Sequence, residues 1–398
     1  FFIPNMKKLL LKAILVWTVA VTVARSIRWP NDFAEAHWLL DYRFGFIKRG
    51  LVGTFVALAS ELTGVAVTVE VIGTLSTIAL LVMCLALSWI AIRVATTSGF
   101  SSDCVLVALL FLSSPFVMIS GHLIGYLDQI VISLSLLAIY MVLKNRPWIG
   151  AIILGGSMFV HEMTLLIGLP SYCLLLLRGR EEVSRDWRML LHATVPIGAF
   201  LVIAVLQMAM TTDTDRMSLT NHLANYTFIG EDRITLVPDW HAQTFLQQIS
   251  SLRQIYLRVT HPEYYLMVMP TILAALYFIR RVIRNRWDWI LVLSVCFLPQ
   301  IMHLVAWDST RIWTLSIFCA FTALWVTSER FRLSVNGRWF SLACAVGIFI
   351  HVLYATPLMD DEVDHTSLSI RLAMYAPTLM YVWWKCWDGK SVTSGQSV

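Results

Sequence analysis

The sequence predicts an all-α, polytopic membrane protein, a bundle of about twelve transmembrane helices forming one domain over residues 1–398. Three observations carry this. The chain is 58% hydrophobic and only 14% charged, with a mean hydropathy of +0.71, whereas soluble domains hold about 25% charged residues. Stretches of roughly 17–20 nearly uncharged residues recur, each long enough to cross a hydrocarbon core of about 30 Å as a helix. Basic residues between those stretches collect in alternate connections, as expected when Lys and Arg near span ends stay cytoplasmic. The net charge of +5 comes from these connections, so it gives no argument for nucleic acid as a partner.

The first span, 9–25, follows Lys7, Lys8 and Lys12, with Met6 as the expected initiator. No small-residue cleavage site follows it, which favours a retained signal-anchor. Residues 26–69 are too interrupted for a span and read as two helices lying along the interface. Spans then follow at 70–93, 104–120, 127–143, 148–160, 163–177 and 189–210. The pair 148–160 and 163–177 is short enough to be one broken hairpin. A large connection, 211–263, precedes spans at 264–280, 287–306, 311–327, 338–356 and 371–386. Twelve spans place the basic connections 144–146, 178–188, 280–286, 328–338 and 385–390 inside, together with both termini. The outer side receives 26–69, 120–128, the 161–162 turn, 211–263, 306–311 and 359–365. Sixteen Trp and twelve Tyr suit rings anchored at headgroup level. The seven cysteines lie in or beside apolar spans with no CxxC, so they read as small buried hydrophobes.

Ionisable residues recur at the outer ends of the spans. His122 and Asp128 flank "GHLIGYLDQ", His161 and Glu162 sit in "SMFVHEMTLL", and His303, Asp308 and Arg311 lie in "MHLVAWDSTRIW". Charges at membrane depth are costly and face a cavity or a partner. A shared, water-accessible cavity lined by these residues explains their placement. Each also has a plainer role: His303 as an interior histidine, Asp308 as a helix cap paired with Arg311. "HEMTL" lacks the second histidine of a zinc protease helix.

The first outer connection carries the densest polar run, "LLDYRFGFIKRG" at 39–50. Arg43, Lys48 and Arg49 stand on the face that normally avoids cations. Either they pair with Asp32, Glu35 and Asp41 or touch lipid phosphate, or they hold an anionic ligand. "WPNDFAEAHWLLDY" has helical apolar spacing, and a second helix is expected after a bend at Gly45. Gly45, Gly50 and Gly53 allow close backbone approach.

Two interfacial helices after the first span, with the acids of "PNDFAEAHW" and the run "DYRFGFIKRGLVG", resemble the GT-C superfamily of integral-membrane glycosyltransferases. "DYRFGFIKRG" and "WDSTRIW" are also similar to runs in bacterial envelope-polysaccharide membrane proteins. The resemblance implies a bacterial inner-membrane enzyme with its site facing the periplasm. Its donor would be a polyprenyl-(di)phosphate-linked sugar, and its acceptor a cell-envelope glycan, lipid or protein. It implies a catalytic acid in the first outer connection, for which Asp32 and Asp41 are rivals and Glu35 a neighbour.

The residues suit that chemistry. Transfer to a hydroxyl needs a carboxylate to take its proton. The departing lipid phosphate needs cations, for which Arg43, Lys48 and Arg49 are placed. No cofactor is required. Asp32, Glu35 and Glu162 offer oxygen ligands to a divalent metal, but nothing in their spacing demands one. The alternatives are a polysaccharide polymerase or ligase, which would use Arg216, Arg233, Arg253 and Arg258 among His222, His241 and His261, and a multi-span transporter. A transporter would show ionisable residues at mid-membrane in matching halves, a pattern the sequence lacks.

Overall fold

Long apolar segments fold as helices because a helix satisfies every interior backbone N–H and C=O within the segment itself. The computed structural model describes residues 2–177, 191–210, 213–242, 262–304, 306, 308–331, 337–358 and 362–388. Among them there is no β-structure beyond an isolated bridge between Pro357 and Val363. Arg253, Arg258 and His261 lie outside the described residues.

The chain runs from α1 (Phe2–Ala24) through the short α2 (Asp32–His37), a 3-10 turn (Tyr42–Phe44) and α3 (Gly50–Thr63) to the long α4 (Val69–Thr97). Then come α5 (Ser102–Leu112), α6 (Pro115–His122), α7 (Asp128–Leu143), α8 (Pro147–Val160), α9 (Thr164–Ile167), α10 (Leu169–Leu177) and α11 (Thr194–Met210). After α12 (Asp213–Leu223) and α13 (Glu231–Ala242) follow α14 (Pro262–Val282), α15 (Arg286–Phe297), a 3-10 segment (Leu298–Leu304) and α16 (Ser309–Ser328). The last elements are α17 (Arg338–Leu353), α18 (Leu368–Met374) and α19 (Ala376–Asp388).

Among the described residues, five helical stretches are long and apolar enough to cross a membrane: Val69–Thr97, Ser102–His122, Tyr265–Val282, Arg286–Leu304 and Ser309–Ser328. Others, including Asp128–Leu143, Pro147–Val160 and Arg338–Leu353, are apolar but shorter. At 1.5 Å per residue they reach about 20–24 Å. Twelve crossings are thus more than the helix lengths establish.

Several segments read as one span are broken. Residues 104–120 form α5 and α6, because Pro115 has no N–H to continue the ladder and instead opens the next helix. Residues 287–306 tighten to 3-10 geometry from Leu298, just before Pro299. The segment read at 371–386 begins earlier, at Leu368, where Ser367 caps α18, and breaks at Tyr375. The connection 211–263 is not a bare loop over its described part: α13 packs on α2 and α12 on the 3-10 turn.

The core is a helix pair walled in on every side. All of α5 from Asp103 onward is buried, as is almost all of α16, which fits helices apolar around their whole circumference. Phe111 stacks on Phe321 with ring centroids 3.8 Å apart, and Phe116 meets Phe318 at 5.3 Å. Around them, α4 exposes Ile78, Leu81, Val82 and Leu85, and α15 exposes Ile290. These outward faces suit lipid.

Polar contacts sort to the two ends of the bundle. One end has Arg93 on Glu329 (2.6 Å), Ser341 on Asp103 and Tyr172 Oη on the Pro147 carbonyl (2.7 Å). The other gathers the 25–68, 122–128 and 161–163 connections with residues 308–309, 354–358 and 362–367, tied by Arg25 to Asp364, Trp38 to Gly125, Arg49 to Glu162 and Arg311 to Asp128. A polar ladder joins α1 to the C-terminal helices: Trp17 Nε1 donates to the Met374 carbonyl (2.8 Å), Thr18 pairs with Thr378 (2.7 Å) and Thr22 with Tyr375 (2.6 Å). Side-chain hydrogen bonds of this kind hold helices together where lipid offers no hydrophobic drive.

Candidate functional site

The first connection is folded tightly against this end. Asn31 caps α2, its Oδ1 accepting the Ala34 N–H at 2.8 Å, and Trp38 Nε1 donates to the Gly125 carbonyl at 2.7 Å. Gly45 (φ +93°) then turns the chain, a conformation open to glycine. Arg49 opens α3 in the left-handed region (φ +63°), a strained choice for a residue with a Cβ. At Gly53 a Cβ would sit 2.0 Å from the Leu40 carbonyl oxygen, so only glycine lets α3 lie against the 38–42 strand of chain.

This turn splits the three cations of the run. Arg43 faces one way. Its Nε (3.0 Å) and backbone N–H (2.8 Å) donate to Asp41 Oδ1, Nη2 donates to Asp41 Oδ2 (2.8 Å) and Nη1 to Glu61 Oε1 (2.6 Å). The Asp41 side chain is 2% exposed and fully engaged, whereas that of Glu61 is 58% exposed. A cavity of about 410 Å³ opens here, with Trp38, Asp41, Arg43, Glu61, His222 and Tyr226 among its walls and Val56 and Val67 on its apolar side. His222 stacks on Phe44 at 4.5 Å, and burial holds its imidazole below the ordinary value. The opposite face of α3 exposes Phe55, Leu58 and Leu62, the last to 87%.

Arg49 faces the other way, into a chain of polar and charged groups drawn from several elements. Its Nη2 (2.8 Å) and Nε (3.3 Å) donate to the two oxygens of Glu162. Glu162 lies 3.3 Å from His161, whose Nδ1 accepts the Met163 N–H at 3.0 Å. His161 Nε2 lies 3.4 Å from Arg311 Nη2 and 3.9 Å from Asp128. Asp128 takes a two-pronged contact from Arg311, with Nε donating to Oδ2 at 2.7 Å and Nη2 to Oδ1. Arg311 also stands 3.9 Å from Asp308, which caps α16. At the Arg49 end, His37 Nδ1 donates to the Phe33 carbonyl (2.8 Å), leaving its Nε2 lone pair toward Arg49 at 3.4 Å. His241 meets His37 edge-on at 4.9 Å.

Electrostatics follow from burial. Burial raises Glu162, but the charges of Arg49 and His161 outweigh it and hold the carboxyl well below its usual range. Burial, reinforced by Arg49, drives His241 down to about 3, and burial, helped by Arg49, lowers Lys48 to about 8 against the pull of Glu162.

The remaining residues singled out in the sequence stand elsewhere. Asp32 accepts the Phe33 N–H at 2.8 Å and lies 3.6 Å from Arg233. Glu35 is buried on α2; burial and the nearby Asp32 raise it to about 7, against a hydrogen bond with Trp29. His122 lies 3.9 Å from Glu362, which takes Arg28 Nη1 at 2.7 Å. His303 Nδ1 donates to the Gln300 carbonyl at 3.1 Å. Among the described residues, no three of His, Cys, Asp or Glu stand where they could hold a metal ion. Asp32, Glu35 and Glu162 therefore form no ligand set. Glu61 and Tyr126 were missed by sequence reasoning. Glu61 gave no local signal, lying eighteen residues beyond its partner Arg43.

No protein-family model, no curated protein and no solved structure matches the chain.

Proposed function

We propose that this chain is a membrane glycosyltransferase of GT-C type. It takes a sugar from a polyprenyl-(di)phosphate-linked donor and passes it to a cell-envelope acceptor, a glycan, lipid or protein. It works in the bacterial inner membrane with about twelve spans, both termini cytoplasmic and the cavity at the outer face. The observation that carries this reading is the cavity beside α3. It joins a cation, two carboxylates and aromatic rings to an apolar wall, on a helix whose outer side is exposed and apolar. A ligand with a sugar, a phosphate and a long hydrocarbon tail matches that mixture, the tail lying along α3.

Within this proposal Arg43 meets the donor phosphate. Asp41, saturated by Arg43, positions the guanidinium; Glu61, the exposed partner, is the carboxylate an acceptor reaches. The phosphate displaces Glu61 from Arg43 Nη1. The freed carboxylate then takes the acceptor hydroxyl's proton as the oxygen bonds to the anomeric carbon. The anomeric C–O bond breaks with its electron pair leaving on the lipid phosphate, and one displacement inverts the centre. Arg43 faces the charge that develops there. Arg49, committed to Glu162, holds the 161–162 turn against the first connection and does not touch the donor.

The test is purified protein with a panel of polyprenyl-phosphate sugars. Glu61→Gln is expected to keep donor binding and lose turnover, whereas Arg43→Ala weakens donor binding and also slows transfer. If both variants transfer at the wild-type rate, the site is wrongly placed. If no donor is consumed by wild type, the reaction is.

A further inference from the structure

Where α1 meets α18, two guanidiniums share one carboxylate. Arg25 donates to Asp364 Oδ2 through Nη2 (2.6 Å) and Nε (3.1 Å), and Asp364 Oδ1 accepts the Thr366 N–H (2.9 Å). The remaining Arg25 donors reach the His351 (2.9 Å) and Tyr354 (3.3 Å) carbonyls. Arg371 approaches the same Asp364 oxygen but stops at 3.9 Å, with its side chain 9% exposed. Among the described residues its Nε and Nη1 have no hydrogen-bond partner.

A guanidinium does not shed its charge when buried, and buried donors left unmade are costly. The triad therefore carries one positive charge more than it neutralises, with two guanidinium nitrogens unanswered. That is the deficit one anionic oxygen fills. The surroundings say where the anion comes from. Leu368, Ile370 and Leu372 on α18 are exposed, as are Ile27 and Trp29 just beyond α1. An apolar collar with a tryptophan, at a bundle end, is where helices leave the hydrocarbon and headgroup phosphates gather.

We infer that Arg371, backed by Arg25, is a binding site for the phosphate of a membrane phospholipid, which completes the joint between α1 and α18. This stands independently of the glycosyltransferase proposal. Native mass spectrometry of the full chain in micelles, titrated with phosphatidylglycerol, tests it. Wild type is expected to retain one lipid, and Arg371→Gln to bind it at least tenfold more weakly. Equal retention by the variant overturns the site. Inorganic phosphate is the second arm: if it raises the melting temperature of wild type as much as the lipid does, the site takes a free anion and the lipid assignment falls. Should Arg371→Gln fail to fold, wild type decides alone. Phosphatidylglycerol is expected to raise its melting temperature by several degrees and phosphate-free digalactosyldiacylglycerol is not; equal shifts refute the inference.

Discussion

Replacing Asp128 by Asn strips the charge from the middle of the chain that runs from Arg49 to Arg311. The Asp128 and Arg311 side chains are 7% and 13% exposed, so solvent does little to screen the cation left behind. Removing one partner of such a buried pair costs about 3–5 kcal/mol, mostly as the penalty of a stranded charge. Asp308 at 3.9 Å and the Tyr126 ring at 5.9 Å remain to receive Arg311, and Asn still offers one carbonyl oxygen. The loss is therefore expected at the lower end, about 3 kcal/mol. Adding Arg311→Met removes the stranded charge, and the double variant is expected to recover about 2 kcal/mol of that loss. Unfolding in mixed detergent–SDS micelles, followed by tryptophan fluorescence, measures all four corners of the cycle. A loss below about 1 kcal/mol for Asp128→Asn, or strictly additive single variants, would show that the pair is neither dry nor coupled.

Gly53→Ala drives a Cβ to within 2.0 Å of the Leu40 carbonyl oxygen and is expected to cost at least about 2 kcal/mol in the same assay, whereas Gly156→Ala, which meets nothing within 4 Å, is neutral or stabilises by up to about 1 kcal/mol. Glu35 is raised from 4.5 to about 7 by burial and Asp32, so the folded state binds its proton more tightly. Its contribution is full below pH 4.5, fades as pH climbs through about 7, and is expected to vanish from the pH–stability curve of Glu35→Gln. Lys48 has the opposite sign: lowered by burial from 10.5 to about 8, it lets the unfolded chain bind more protons between those values. Stability should then rise with pH across that window in wild type and lose that slope in Lys48→Met.

The helical class was open to view because it is written in composition and in runs of apolar residues, each a local property. Breaks inside those runs were harder to see. Ser113–Ser114–Pro115 carries a stop signal, but the surrounding residues are as apolar as those of a continuous span, and only Pro115 at the head of α6 marks the joint. The helices α12 and α13 went unread because neither has a strong apolar stripe; they are helical through packing on the first connection. Sidedness of charge pointed to Asp128, His161, Glu162, Asp308 and Arg311 as groups at span ends. Which group meets which was not legible, since Arg311 contacts Asp128 across 183 positions and Arg49 contacts Glu162 across 113. The run 39–50 read as one basic patch because spacing records nearness along the chain. It does not record the turn at Gly45 that sends Arg43 and Arg49 to different partners.

The polar ladder between α1 and the C-terminal helices has a consequence for how the chain is made. Thr18, Thr22 and Arg25 find their partners at Thr378, Tyr375 and Asp364, more than three hundred positions later. A nascent chain therefore holds α1 with that stripe unanswered through most of translation. Threonines can fold back on their own helix, as Thr18 does onto Ile14 and Thr22 onto Thr18, but a guanidinium cannot. During that interval Arg25 lacks Asp364, and a chain stopped before residue 364 would leave its guanidinium without that carboxylate. The joint between the two ends of the chain is thus among the last contacts to form, closed only when synthesis has gone far enough to supply Asp364.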